Sequence, residues 1–175
     1  MSKTLLLFWD PLSSHYSMGD FEDDLKEISF TYDIDPLDWG INNPKDIEQG
    51  IKFHIVKVGE GNCGIVMSGL VLSDSRYDER HKRYCRRNYK TDCDVVLGVS
   101  EMFHPDRSEI ITLSQLQAAF PDIPLDGASK EYILNEDQSR LLSELKDRFL
   151  SEHPDVFEPK AGKRPTLPLP FSNKL

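Results

Sequence analysis

Apolar and polar positions follow one another regularly enough to divide most of the chain into elements. Thr4–Trp9 is a short run of leucines and aromatics with β character. From Ser17 onward Met18, Phe21, Leu25 and Ile28 return every three or four residues, which predicts one face of a helix. Glu22, Asp23, Asp24 and Glu27 then fall on the other face, and Ser17 and Asp20 have the spacing of a capping box. Acids so early in a helix also suit its dipole. Asp33–Asn43, punctuated by Pro36 and Gly40, predicts a loop carrying Trp39. Ile51–Val58 alternates, with Ile51, Phe53 and Ile55 on one side and Lys52 and His54 on the other, as a half-buried strand does. Cys63–Leu72, with Gly69 inside it, and Asp92–Val99 predict two more strands. The glycine-rich segment Gly59–Gly64 is the turn entering the first of them.

Two further helices have their starts marked. Thr112 is followed three residues on by Gln115, then by Leu116 and Phe120. Asn135 is followed by Gln138 and by the stripe Leu141, Leu142, Leu145 and Phe149. Past Ser151 the pattern stops, and the final 25 residues hold five of the eleven prolines, an extended-tail composition. The reading is an α+β domain over residues 1–150 and a Pro-rich tail over 151–175.

A length of 175 residues is enough for a single core without a covalent staple. Hydrophobic residues at 38% and charged residues at 29% exclude collagen and a disordered acidic chain. No apolar run approaches the ~18 residues of a membrane span, so no membrane partner is expected. Three cysteines without framework spacing predict reduced thiols in a cytoplasmic protein. The net charge of −9 disfavours polyanions, yet its distribution is uneven. Arg76–Lys90 holds seven basic residues against two acids, a local +5 that leaves −14 on the remainder. Tyr77, Tyr84 and Tyr89 interleave with these cations, a pairing suited to phosphates and bases. A solvated loop whose cations pair with the excess carboxylates is the plainer account of the same residues.

Several motifs lose their chemistry on inspection. Gly59-Glu60-Gly61-Asn62-Cys63-Gly64 spells G-x-G-x-x-G, but Gly64 leads into Ile65, Val66 and Met67, a strand pattern. A dinucleotide site needs a helix there to present its N-terminus to the pyrophosphate. A hairpin tip is the better reading. His81, Cys85 and Cys93 lack the paired spacing of a zinc site, and Asp33, Asp35 and Asp38 are interrupted by Pro36 as a calcium loop would not be. No nucleophile motif is present, since Ser68 sits mid-strand and Cys63 has no basic neighbour in sequence. No cofactor and no catalytic residue is therefore expected.

Taken in order, these features resemble the PUA-like superfamily and, within it, the EVE domain family. Trp9 followed by Tyr16-Ser17, Asp20 and Phe21 is similar to that family's opening strand and first helix. Trp39-Gly40-Ile41-Asn42-Asn43 resembles its tryptophan–asparagine loop, and Gly50–His54, Gly64-Ile65-Val66 and Gly69 its central strands. Asp92–Val96, Thr112–Leu116 and Ser129–Leu134 follow in the matching order. Phe8-Trp9-Asp10-Pro11 with Ser13-Ser14, and Val58-Gly59-Glu60-Gly61, look like bacterial members of the superfamily.

The resemblance implies a small mixed β-barrel flanked by helices. It also implies a non-enzymatic module whose aromatic pocket accepts a modified base or nucleotide. By match, Trp9, Ser13, Ser14, Trp39 and Asn42 are the pocket residues. The basic stretch has no clear counterpart in the family, and its own cations Arg83, Arg86 and Arg87 are the residues expected to hold phosphates. Leu125–Ser129 departs from the family, which often has a tryptophan there. A second reading is a small acidic interaction protein, of an immunity or regulatory kind, that contacts a basic partner through the helix Ser17–Ile28.

Overall fold

A computed structural model describes residues 2–31, 36–43, 46–73 and 94–154. The basic stretch with Arg83, Arg86 and Arg87, the cysteines Cys85 and Cys93, and the tail from Asp155 onward lie outside the described residues. The elements are β1 (Thr4–Trp9), α1 (Met18–Thr31), β2 (Leu37–Gly40), β3 (Lys52–Lys57), β4 (Gly64–Ser73), β5 (Asp94–Met102), α2 (Leu113–Ala119), β6 (Glu131–Leu134) and α3 (Glu136–Glu152). The six strands form one curled sheet in the order β2-β5-β4-β3-β1-β6. Among the described strands only β1 and β3 run parallel, and the segment containing α1 and β2 makes the crossover between them. The expected α+β class with a small mixed barrel-like sheet and flanking helices is the observed one.

Every residue of β1 is buried, because both faces of the sheet are covered. One face carries Leu5, Leu7, Trp9, Phe53, Ile55 and Leu97, against which α1 lays Phe21, Leu25 and Ile28. The other carries Leu6, Phe8, Val56 and Ile65, covered by Leu116 of α2 and Leu142 and Phe149 of α3. Both of these helices begin with complete capping boxes, Thr112 with Gln115 and Asn135 with Gln138. Ser17 and Asp20 make the same exchange before α1, with Ser17 N donating to Asp20 Oδ2 at 2.8 Å and Asp20 N to Ser17 Oγ at 3.1 Å. The Gly59–Gly64 segment is a strand-connecting tip, with Gly59 and Gly61 at φ of 92° and 80°, and Gly64 opens a strand rather than a helix. Here a hairpin turn, not a phosphate cradle, is what the glycines serve.

Four expectations are corrected. Within the expected loop Asp33–Asn43, Leu37–Gly40 is a strand, held by antiparallel pairing with β5 that sets Trp39 opposite Val95. Lys52 and His54 do not share a solvent face, since α3 covers that side and His54 is buried. Asp24 is buried rather than on the wet face of α1, because Tyr16 Oη donates to its Oδ2 at 2.7 Å. Leu141 belongs outside the apolar stripe of α3, where Leu142 and Phe149 enter the core. That helix also runs past residue 150, and its cap His153 donates its backbone N–H to Phe149 O and sets its ring 4.6 Å from the Phe149 ring.

Candidate ligand-binding site

Trp9 ends β1 and Trp39 lies in β2, at opposite sides of the sheet order, yet the sheet's curl and the turn after β1 bring their surroundings together. Tyr16 is the joint. Its ring centroid lies 5.4 Å from that of Trp9 and 5.7 Å from that of Trp39. Phe21 of α1 stacks on Trp9 at 5.5 Å with 26° between the planes. Trp9 is 1% exposed and its indole N–H donates to Tyr16 O at 2.7 Å, so this ring is fixed at both its apolar and its polar end. Trp39 is 9% exposed.

The 10–16 turn over this cluster is shaped by its own polar groups. Ser13 and Ser14 donate their backbone N–H groups to Asp10 O at 3.1 and 3.0 Å. Ser14 Oγ in turn accepts from Tyr16 N at 3.2 Å. Ser13 is exposed and Ser14 half-buried. Gly59 approaches this turn from the β3–β4 tip, so closely that a Cβ would meet Asp10 Oδ1 at 2.9 Å.

Asn42 is exposed, just beyond β2, and its backbone reaches across the curl. Asn42 N and Asn43 N donate to Glu131 Oε1 at 2.8 and 2.7 Å. Glu131 opens β6, the strand at the other edge of the sheet, and its register opposite Leu7 sets it on the face of β1 that also bears Trp9. One carboxylate oxygen thus ties the two edges together. The other, Glu131 Oε2, is buried and has no hydrogen-bond partner among the described residues.

The structure therefore gathers Trp9, Ser14 and Trp39 around Tyr16, with Ser13 on the same turn, while Asn42 is linked to the second edge through Glu131. Tyr16 and Glu131 are the participants that sequence reading passes over. Glu131 leaves only one signal, an acid at the head of the otherwise apolar strand Glu131-Tyr132-Ile133-Leu134. Arg83, Arg86 and Arg87 are outside the described residues. Among the described residues there is no group of three or more metal-ligating side chains that could hold an ion. No described helix is long and apolar enough to cross a membrane.

No family model matches the sequence, and no curated protein sequence does. Solved structures do resemble it. A hypothetical protein from Leishmania major superposes with a TM-score of 0.56 at 12% identity, over 85% of this chain and 97% of that one. A Pseudomonas syringae protein gives 0.53 at 14% identity, over 82% and 99%. Human THYN1, solved in complex with 5-methylcytosine-containing DNA, gives 0.52 at 13% identity, over 83% and 98%. The DUF55 domain of human thymocyte nuclear protein 1 is similar at 14% identity. At such identities the likeness is one of fold.

Proposed function

We propose that this chain is a non-enzymatic module that binds a modified base or nucleotide at the aromatic end of the sheet. The observation that carries the reading is the unpartnered, buried Glu131 oxygen beside the end where the Trp9–Tyr16–Trp39 cluster lies. A buried carboxylate oxygen without a donor is costly, on the order of 1–3 kcal/mol or more. A ligand N–H, such as the amino group of a base, removes that cost. The likeness in fold to THYN1, whose solved complex contains 5-methylcytosine DNA, supports the same class of ligand.

In this reading the base lies on Trp39, with Tyr16 and Trp9 as the wall behind it. Ser13, Ser14 and Asn42 supply polar contacts to its edge, and Arg83, Arg86 and Arg87 hold the flanking phosphates. Base–aromatic stacking contributes about 1–3 kcal/mol, so Trp39→Ala should weaken binding of a modified nucleoside about 5- to 150-fold. Because that ring also packs in the core, urea unfolding is measured in parallel, and Trp39→Phe serves as the variant that keeps the packing. Glu131→Gln, which retains an acceptor for Asn42 and Asn43, should lower affinity without unfolding the chain. A wild type that binds no member of a panel of modified nucleosides, or folded variants that bind as well as it does, would overturn the assignment.

A further inference from the structure

On the opposite face of the sheet the chain holds a second, polar cavity. It has a volume of about 310 Å³ and lies between β3, β4 and β5 below and α3 above. That volume is at the lower end of the ~300–1,000 Å³ usual for small-molecule sites. His54 emerges on this face because its neighbours Phe53 and Ile55 enter the aromatic side of the core. The imidazole is 6% exposed, and Nδ1 is 2.6 Å from the hydroxyl of Ser68, itself buried. Among the described residues that is the ring's one hydrogen bond, which leaves Nε2 without a partner there, and His54 lines the cavity. Ser100 and Ser143 contribute further hydroxyls.

The charges around the cavity are arranged asymmetrically. Lys146 is ion-paired with Glu101, which occupies that carboxylate. Lys52, exposed at the rim, makes no ion pair among the described residues, while Asp147 is exposed on α3. Burial, and after it the cationic Lys146 and Lys52, push the imidazole pKa down to about 3. The ring is neutral at ordinary pH. In the tautomer in which the Ser68 hydroxyl donates to Nδ1, the ring proton sits on Nε2 and is available to a ligand.

We infer that this cavity is a second ligand site, for a small molecule bearing an oxyanion, a phosphate or a carboxylate, that accepts from His54 Nε2 and pairs with Lys52. The His54–Ser68 pair lines an open cavity, and the Lys52 ammonium at its mouth makes no ion pair among the described residues. The inference is independent of the base-binding reading, because the two sites lie on opposite faces of the sheet.

The test is a titration of the full, isotope-labelled chain with inorganic phosphate, and separately with acetate, at constant ionic strength against a chloride control. Backbone amides of Ser68, Gly69 and Ser100 and the His54 ring nitrogens are followed by NMR. Saturable shifts confined to these groups in the millimolar range are expected. Lys52→Gln, at an exposed position that leaves the fold intact, should weaken binding about fivefold, the contribution of one partly exposed ion pair. Saturation by phosphate but not acetate identifies a phosphoryl ligand, and the reverse identifies a carboxylate. Shifts that match the chloride control, or an affinity that Lys52→Gln leaves unchanged, would overturn the site.

Discussion

His54 shows how one residue's surroundings set its chemistry. Burial disfavours the imidazolium, and the ammonium groups of Lys146 and Lys52 disfavour it further, which together lower the pKa from 6.5 to about 3. Glu101, on the same cavity wall, is engaged by Lys146, and Asp147 is exposed at the rim. An unfolded chain regains a pKa near 6.5, so between about 3 and 6.5 the unfolded state binds a proton that the folded state refuses. The contribution to stability is therefore complete above 6.5 and is lost as the pH falls through that interval, by up to about 1.4 kcal/mol per unit. Urea unfolding at pH 7 and pH 5 should show the wild type losing about 1–2 kcal/mol more than His54→Asn, whatever the starting stability of the variant. Equal losses in the two proteins would mean that the ring titrates alike folded and unfolded.

At the scale of elements, the closest constraint lies between β4 and β5. Gly69 stands opposite Val99 beside a register shift, and a Cβ at Gly69 would sit 1.9 Å from Gly98 O. Since the obstacle is backbone of a central strand, no side-chain rotation relieves it, and Gly69→Ala should cost about 3 kcal/mol or more. Thermal unfolding measures this directly, and a shift in Tm of a degree or less would show that the two strands separate without penalty. Gly69 was recognisable in sequence as a glycine inside a strand, and so were the three helix starts, because capping is a matter of residues three apart. What was hidden depended on distant partners. Leu37–Gly40 has the composition of a turn and becomes a strand only through β5. His54 looked solvent-facing because strand alternation says which residues share a face and not whether a later helix will cover it. For the site, the aromatic residue types were legible, whereas Glu131 was not. Its role depends on two backbone N–H groups 88 and 89 residues away.

The same glutamate matters most when the molecule is considered whole. β2 and β6 are the edges of the sheet among the described strands, and a curled sheet is secured when its edges are joined. Glu131 joins them, since a single oxygen on β6 accepts two N–H groups from the residues just past β2. Hydrogen bonds to a carboxylate are worth about 1.5–3 kcal/mol each, roughly twice a neutral bond. Part of that is offset by the cost of burying the second oxygen. Glu131→Ala removes both bonds and leaves two backbone donors without their partner, although Asn42 and Asn43 are exposed and water can reach them. We expect a net loss of about 2–3 kcal/mol, with amide hydrogen exchange accelerating in β2 and β6 well before it does in β1, β3 or β4. Glu131→Gln keeps the acceptor at reduced strength and should lose about half as much. Equal destabilisation by the two variants would make the negative charge, rather than the acceptor, the element that closes the sheet. Unchanged exchange at both edges in Glu131→Ala would show that the curl is held by the hydrophobic layers alone, and Glu131 would then be left with only its proposed contact to ligand.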